Sequence, residues 1–194
     1  MPPLPTASPR AIRTCFLDRD GVLNRKMPEG QYVTAWEEFE ILPGVPQAIL
    51  RLNRAGIRVI VVSNQRGIAK GLYTAADLDT IHARFQAQLQ TQGAHIDHFY
   101  YCPHDQQSCN CRKPLPGMFE QAQRDFIEIK ASSSAMIGDS LADMEFGRRL
   151  GMTTILIDVH PDNRAPGVEE ASARADLRFA SLAEAVDALL TARQ

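Results

Sequence analysis

The segment that most restricts the fold is RVIVVSN, residues 58–64. Its centre consists of four consecutive Val and Ile residues and contains no polar side chain. A strand of this composition is expected to be buried on both faces, as the strands of parallel sheets usually are. The segment therefore predicts a parallel sheet that is covered by helices on both sides.

Strand and helix patterns alternate along the rest of the chain. Further strands are predicted over residues 12–17, 98–101, 133–139 and 153–158. Helices are predicted from about Pro46 to Gly56, from a Thr74–Asp77 capping box to about Gln92, over 116–126 and 140–151, and from Ser181 onward. Residues 24–40 show no clear periodicity and are expected to form a loop or flap. The alternation predicts a Rossmann-like, doubly wound α/β fold.

Length and charge narrow the class of protein. The chain has 194 residues, of which 44% are hydrophobic, and this suits a single domain, which we place at residues 11–194. Four prolines among the first ten residues predict a disordered tail over residues 1–10. A net charge of -2 provides no basic surface for nucleic acid, and no segment is suited to crossing a membrane. We expect a monomeric cytoplasmic protein that binds a small molecule.

Polar residues stand where the predicted strands end. Asp18 and Asp20 follow the first strand, Ser63 and Asn64 end the second, and Asp139 follows a later one. Ligands of open parallel sheets bind outside the carboxyl ends of the strands, so these side chains are expected to meet. Carboxylate oxygens without nitrogen or sulfur ligands suit Mg²⁺ better than zinc. A strand-end aspartate that only caps a turn is the simpler reading of each residue taken singly.

A metal among carboxylates, with Arg112 and Lys113 nearby, is suited to phosphate chemistry, because cations neutralise charge on the transferred group. Asp18 could attack phosphorus and form an aspartyl-phosphate. Asp20 could protonate the leaving oxygen and later deprotonate water. The two carboxylates need different surroundings, since one must be ionised while the other carries a proton.

Three cysteines and one histidine are clustered in YYCPHDQQSCNCRKP. Cys102, His104, Cys109 and Cys111 follow the spacing C-x-H-x4-C-x-C. Three thiolates and one imidazole suit a tetrahedral zinc ion with no open position, which is the pattern of a structural site. The cluster predicts a small zinc loop over residues 102–111, next to Arg112 and Lys113; reduced surface cysteines are the alternative.

Four segments, FLDRDGVLN, VVSNQRGIAKG, CRKP and GDSLADM, resemble the motifs of the haloacid dehalogenase superfamily of phosphohydrolases. The resemblance extends over residues 12–158. It implies that Asp18 is the nucleophile, that Asp20 is the acid and base, and that Ser63 and Lys113 hold the phosphate. An aspartate at position 20 is the mark of the phosphoryl-transfer members.

The same resemblance implies a magnesium site. Its ligands would be Asp18, Asp139 and the backbone carbonyl of Asp20, and Asp143 would orient the site from behind. Too few residues separate Asp20 from the helix near Pro46 to form the cap domain of the mutase relatives, so a capless fold is expected.

The substrate is less narrowly implied. The chain is similar both to members that remove the 7-phosphate of a heptose 1,7-bisphosphate and to histidinol-phosphate phosphatases. The flap segment EGQYV favours the heptose enzymes, whereas the short gap between His104 and Cys109 is closer to the second group. Ser140 stands where heptose enzymes commonly carry a lysine. Histidinol phosphate, a broader set of sugar phosphates, or a catalytically idle zinc-stabilised binding module remain as alternatives.

Several further polar residues could contact the substrate. Asn64, Arg66 and Arg112 are candidates for binding the phosphate or the sugar, together with Ser63 and Lys113. Spare cations that could reach a distal phosphate are Arg25, Lys26 and Lys70, and Glu29 and Gln31 could bind sugar hydroxyls. Each of these charges could equally be a solvated surface group.

Overall fold

The computed structural model of the protein describes residues 11–158 and 167–192. The tail predicted over residues 1–10 therefore lies outside the described residues. Six strands form one sheet: β1 (Thr14–Leu17), β2 (Arg58–Asn64), β3 (His98–Cys102), β4 (Ser134–Gly138), β5 (Thr153–Ile157) and β6 (Leu177–Phe179). Their order is β3-β2-β1-β4-β5-β6, and every pair is parallel. The expected parallel sheet is confirmed.

Within the described ranges, six helices surround the sheet: α1 (Val45–Arg54), α2 (Ala75–Gln90), α3 (Gly117–Asp125), α4 (Leu141–Leu150), α5 (Val168–Arg174) and α6 (Leu182–Thr191). Apolar side chains of α1, α2 and α6 join one core cluster, and those of α3 and α4 join a second on the other side of the sheet. The fold is therefore doubly wound, as the strand composition predicts.

The strands at the centre of the sheet supply both cores by simple alternation. Leu17 and Val61 belong to the first cluster, whereas Phe16 and Ile60 belong to the second. None of the four is exposed to solvent. Burying a side chain of this size stabilises the folded state by about 1.5–3 kcal/mol, so the central strands hold the ends that carry the polar residues firmly in place.

Local sequence signals set the helix starts. Thr74 caps α2 and forms the expected capping box with Asp77, and the side chain of Ser181 accepts a hydrogen bond from the backbone N–H of Glu184 at the start of α6. α5 and β6 have no counterpart among the elements predicted from the sequence. Both are short and largely exposed, so neither has the apolar periodicity that identifies an element.

No cap domain is inserted in the connection between β1 and α1, all of which the structure describes. Between the end of β1 and α1 the chain forms loops and a single turn of 3₁₀ helix at Trp36–Glu38. The first part of this connection, residues 25–35, is called the flap below. Its tip is a turn in which the backbone N–H of Gln31 donates to the carbonyl of Pro28. Among the described residues, no helix has the length and apolar character that crossing a membrane requires.

One buried histidine belongs to the helix layer. His82 of α2 stacks on Phe99 of β3, with ring centroids 4.5 Å apart. Its Nε2 is buried and has no hydrogen-bond partner among the described residues. Burial, and secondarily the nearby Arg19 guanidinium, lower the pKa of His82 to about 3. The imidazole is therefore neutral in the folded protein at physiological pH.

Candidate active site

Three carboxylates meet at the carboxyl ends of β1 and β4. Asp18 directly follows β1, Asp139 directly follows β4, and Asp143 lies in the first turn of α4. Their oxygens lie within 4.8 Å of one another. The chain winds outward in opposite directions from these two neighbouring strands, so the cluster occupies the crevice where open α/β sheets bind ligands.

Lys113 is the positive centre of this cluster. Its Nζ lies 2.9 Å from Asp18 Oδ1 and 2.6 Å from Asp143 Oδ1, and it donates to the carbonyl of Val62 at 2.6 Å. Burial alone would lower the pKa of Lys113, but Asp143 and Asp18 outweigh it and raise the pKa above its ordinary value. The lysine is therefore a fixed positive charge beside Asp18.

The three carboxylates bring more negative charge into the cluster than the ammonium group of Lys113 alone can neutralise. Burial, followed by the Asp143 charge, raises the pKa of Asp18 to about 7 despite Lys113. Burial also raises the pKa of Asp139 to about 6, against the opposing effect of Lys26. Asp139 Oδ1 is buried and has no hydrogen-bond partner in the described part of the chain. An all-oxygen cluster with surplus charge and an unpartnered oxygen fits a hard dication such as Mg²⁺.

Asp20 has quite different surroundings. Arg19 donates to its carboxylate at 2.8 and 2.9 Å, and Asn24 and Gln65 add hydrogen bonds at 3.0 and 3.1 Å. Burial raises the pKa of Asp20, but the Arg19 charge and these hydrogen bonds outweigh burial, so the pKa is lowered. These surroundings favour the protonated form of Asp18 and the ionised form of Asp20, whereas a nucleophile must be ionised and a general acid must carry a proton. A dication bound beside Asp18 would lower the pKa of Asp18 and favour its ionised form.

A chain of hydrogen bonds connects Asp20 to the end of β2. Gln65 Nε2 donates both to Asp20 Oδ2 and, at 2.6 Å, to the hydroxyl of Ser63. Tyr73 in turn donates to Gln65 Oε1 at 2.5 Å. All of these groups except Asp20 are buried, so the amide has one orientation that satisfies both of its ends.

The cluster opens into a cavity of about 290 Å³. One wall consists of flap residues, from Lys26 to Val33, and the other carries the polar groups that follow the strands. The cavity is lined by all the residues expected at the site except Arg66: these are Asp18, Asp20, Ser63, Asn64, Arg112, Lys113, Asp139 and Asp143. Glu29 and Gln31, the candidates for sugar hydroxyls, also line the flap side.

Of the four spare cations, one lines the cavity and three do not. Arg66 pairs with Asp105 of the zinc loop at 2.5 Å, and Arg25 pairs with Glu40 at the exposed base of the flap. Lys70 lies over the ring of Tyr32, 5.2 Å from its centroid. Only Lys26 of these four lines the cavity, where its Nζ lies 2.6 Å from Asp139 Oδ2.

Ser140 has a structural task at the position where a lysine is common in the heptose enzymes. It is the N-cap of α4, and both its hydroxyl and its backbone N–H donate to Asp143 Oδ2, at 2.6 and 3.1 Å. The same carboxylate therefore anchors the helix through one oxygen and Lys113 through the other. This arrangement fixes Asp143 at the back of the site.

The four soft ligands expected to bind zinc converge in the structure. The sulfur atom of Cys102 lies 3.4 Å from that of Cys109, 3.1 Å from that of Cys111 and 3.7 Å from His104 Nδ1. The edges of a tetrahedral zinc site with Zn–S bonds of about 2.3 Å are roughly 3.5–3.8 Å long. All the cysteines are free thiols, and distances of 3.1–3.7 Å lie close enough to these edges that side-chain shifts of a few tenths of an ångström would accommodate a zinc ion.

The zinc loop is tied to the cavity through Asn64. The Asn64 side chain donates to the carbonyl of Lys113 at 3.1 Å and accepts from the backbone N–H of Lys113 at 3.0 Å. Cys111 lies two residues before this lysine. The end of β2 thus holds the backbone of Lys113, just beyond the last of the four candidate zinc ligands.

The residues that surround Asp20 are not among the site residues predicted from the sequence. Arg19, Gln65 and Tyr73 come from three separated places and meet only in the folded chain. Arg19 and Gln65 each stand beside a predicted site residue, and this adjacency was the one available signal. Tyr73 carried none, because it lies in a loop with no recognisable motif.

Comparison with known proteins agrees with this geometry. The family model of haloacid dehalogenase-like hydrolases matches residues 12–151. D-glycero-alpha-D-manno-heptose-1,7-bisphosphate 7-phosphatase of Mycobacterium bovis is 42% identical over 136 residues, which are 70% of this chain and 71% of that relative. D-glycero-beta-D-manno-heptose-1,7-bisphosphate 7-phosphatase of Salmonella typhi is 35% identical over 189 residues, 93% of this chain and 96% of the relative.

A solved structure is similar over nearly the whole chain. The D,D-heptose 1,7-bisphosphate phosphatase of B. bronchiseptica, complexed with magnesium and phosphate, superimposes with a TM-score of 0.80 at 31% identity. The match covers 93% of this chain and 99% of that one. The family match, the relatives and the sheet with its aspartate cluster together establish that this chain belongs to the haloacid dehalogenase-like hydrolases.

Proposed function

We propose that the protein is a Mg²⁺-dependent phosphatase that removes the 7-phosphate of a D-glycero-D-manno-heptose 1,7-bisphosphate. It would act as a cytoplasmic monomer that supplies heptose 1-phosphate for nucleotide-activated heptose. One observation mainly supports the proposal: Asp18, Asp139 and Lys113 lie together at one cavity, which the flap borders. The names of the relatives support the choice of sugar.

Asp18 is the proposed nucleophile. Lys113 Nζ and the backbone N–H of Arg19 both contact Oδ1 of Asp18, at 2.9 and 2.8 Å. Oδ2 is therefore the oxygen available to attack phosphorus. The attack forms an aspartyl-phosphate and breaks the bond between phosphorus and the sugar oxygen. Lys113 stabilises the negative charge that spreads over the phosphoryl oxygens.

Asp20 is the proposed acid and base. In the first step its carboxyl group gives a proton to the departing sugar oxygen, and in the second its carboxylate takes a proton from the attacking water. That water attacks the phosphorus of the intermediate, releases phosphate and restores Asp18. Arg19 and Gln65 orient the Asp20 carboxylate during both steps.

Mg²⁺ would be held by Asp18, Asp139 and the backbone carbonyl of Asp20, with Asp143 behind them. When bound, it would neutralise charge on the phosphoryl group and on the crowded carboxylates. Ser63 and Arg112 would complete the contacts to phosphate and sugar, since both line the cavity. Zinc would be held by the Cys102 to Cys111 cluster and would stiffen the chain that carries Lys113.

The test is phosphate release from purified protein with Mg²⁺. The substrates are both anomers of the heptose 1,7-bisphosphate and histidinol phosphate, compared with Asp18→Asn and with the control Asp79→Asn on the exposed face of α2. We expect turnover on at least one heptose anomer, a loss of roughly a thousandfold or more in Asp18→Asn, and no loss in the control. Activity that survives Asp18→Asn would refute the assignment of the nucleophile.

Histidinol phosphate is the second candidate substrate, because only four residues separate His104 from Cys109. A higher kcat/KM on histidinol phosphate than on both heptose anomers would replace the proposed substrate. The site and the mechanism would then stand unchanged. Absence of turnover on all of these esters would favour an idle zinc-stabilised binding module.

A further inference from the structure

Lys26 brings a second ammonium group into the carboxylate cluster. Its Nζ lies 2.6 Å from Asp139 Oδ2, and its side chain is 35% exposed, whereas that of Asp139 is 3% exposed. Burial lowers the pKa of Lys26, but the Asp139 charge outweighs burial and raises it. The flap therefore places a charged group on one of the residues that would bind Mg²⁺.

The backbone of the flap aims Lys26 inward. The backbone N–H of Arg25 donates to the carbonyl of Glu40, and the Arg25 side chain pairs with the Glu40 carboxylate on the exposed side. Neighbouring residues of an extended segment point to opposite sides. Since Arg25 is held outward, Lys26 is directed toward the cavity that it lines.

Lys26 and a divalent cation compete for the same charge. Asp139 has one oxygen on Lys26 and a second that is buried and unpartnered in the described part of the chain. A dication among Asp18, Asp139 and Asp143 would stand close to the ammonium and repel it, because few water molecules separate them in this buried place. The Lys26 side chain is long and flexible, so its ammonium can turn away from Asp139.

We propose that Lys26 is an exchangeable counter-ion of the metal site. Without divalent cation its ammonium neutralises Asp139, and when the cation binds, the ammonium leaves Asp139 and contacts the anionic substrate in the cavity. This inference rests on the proposed function, since it needs the metal site and a phosphorylated ligand. It makes Lys26 a positioning residue that couples occupancy of the metal site to binding of the anion.

The test compares Mg²⁺ binding to the free protein by calorimetry in wild type, Lys26→Met and Lys26→Arg. The matched control is Lys70→Met, because Lys70 is an exposed lysine that lies over Tyr32 and does not line the cavity. Loss of the competing ammonium should tighten Mg²⁺ binding by roughly fivefold, or about 1 kcal/mol, in Lys26→Met. Lys26→Arg and Lys70→Met should stay within about twofold of wild type.

The second measurement is binding of inorganic phosphate to the Mg²⁺-saturated proteins. Lys26→Met should bind phosphate roughly fivefold more weakly than wild type, since it lacks the released ammonium. Unchanged or weaker Mg²⁺ binding in Lys26→Met would overturn the competition, and unchanged phosphate binding would overturn the transfer to the anion. Wild-type protein that binds no Mg²⁺ would overturn the metal site as well.

These results separate the inference from the proposed substrate. If Lys26→Met behaves as expected while the wild type releases no phosphate from either heptose anomer, the substrate proposal fails and the inference stands. If the wild type hydrolyses the heptose ester and Lys26→Met binds Mg²⁺ no more tightly, the inference fails alone.

Discussion

Replacing Gly21 by alanine should damage the metal site through one methyl group. Gly21 directly follows Asp20 in the first loop and has φ +94°, a conformation that residues with a Cβ rarely adopt. A Cβ placed there would lie 2.4 Å from Asp139 Oδ2 and 2.7 Å from Asp139 Cγ. Both distances are far below van der Waals contact, so the Asp139 carboxylate must move.

The size of the effect follows from two costs. The left-handed conformation costs an alanine roughly 1–2 kcal/mol, and the lower entropy of the unfolded chain returns about 0.4–1 kcal/mol. The steric overlap adds roughly 1–3 kcal/mol. We therefore expect Gly21→Ala to destabilise the fold by about 2–4 kcal/mol and to lower Tm by roughly 5–10 °C. Displacement of Asp139 should also weaken Mg²⁺ binding by about 10–100-fold.

Gly56→Ala is the matched control. Gly56 also has positive φ, at +67°, but its Cβ would meet nothing within 4 Å, and it lies at the opposite end of β2 from the cavity. Gly56→Ala should lower the free energy of unfolding by about 1 kcal/mol or less and leave the Mg²⁺ affinity unchanged. Calorimetric titration and thermal unfolding measure both quantities. Equal Mg²⁺ affinity in Gly21→Ala and wild type would refute the close packing of the first loop against Asp139.

Three further predictions follow from the structure. Cys111→Ser should abolish zinc in metal analysis and lower both Tm and kcat, since the proposed zinc site would no longer anchor the segment that leads to Lys113; normal activity in a zinc-free sample would contradict this. The contribution of His82 to stability should fall by about 2 kcal/mol between pH 7 and pH 5, because the unfolded chain protonates His82 below its ordinary pKa near 6.5 while the folded chain resists protonation down to about 3. The raised pKa values of Asp18 and Asp139 act in the opposite direction in wild type and in His82→Gln alike, so the stability of wild type relative to His82→Gln, measured by chemical denaturation at both pH values, should fall by this amount; an unchanged difference would reject this origin. Arg66→Met should change KM by less than about twofold, because its guanidinium pairs with Asp105 at the partly exposed surface; a large rise in KM would place Arg66 on the substrate.

Much of the fold could be predicted because the signals were local. The apolar run of β2, the capping box at Thr74 and the N-cap at Ser181 each depend on a few adjacent residues, and each was confirmed. The last strand of the sheet, β6, was harder to predict. With two of its three residues exposed, β6 offers no core face, and its pairing with β5 is a contact that no local pattern encodes.

The residues of the candidate site also divide into those whose positions local sequence patterns predict and those whose positions they do not. Asp18 and Asp139 could be predicted to meet because each ends a strand, and parallel strands bring their ends to one edge. Arg66 and Lys26 were indistinguishable as basic residues in loops. Their different positions depend on tertiary partners, Asp105 in one case and Asp139 in the other, that lie far away in the chain.

The zinc loop has a consequence for how such enzymes can diversify. The four candidate ligands lie at the two ends of the loop. Just beyond the last of them, the Asn64 side chain forms hydrogen bonds with the backbone of Lys113. Residues 105–108, between the ligands, are exposed. An insertion there would extend into solvent and leave Lys113 where it is. The loop is thus a place where new recognition surface can evolve while the chemistry below it is conserved.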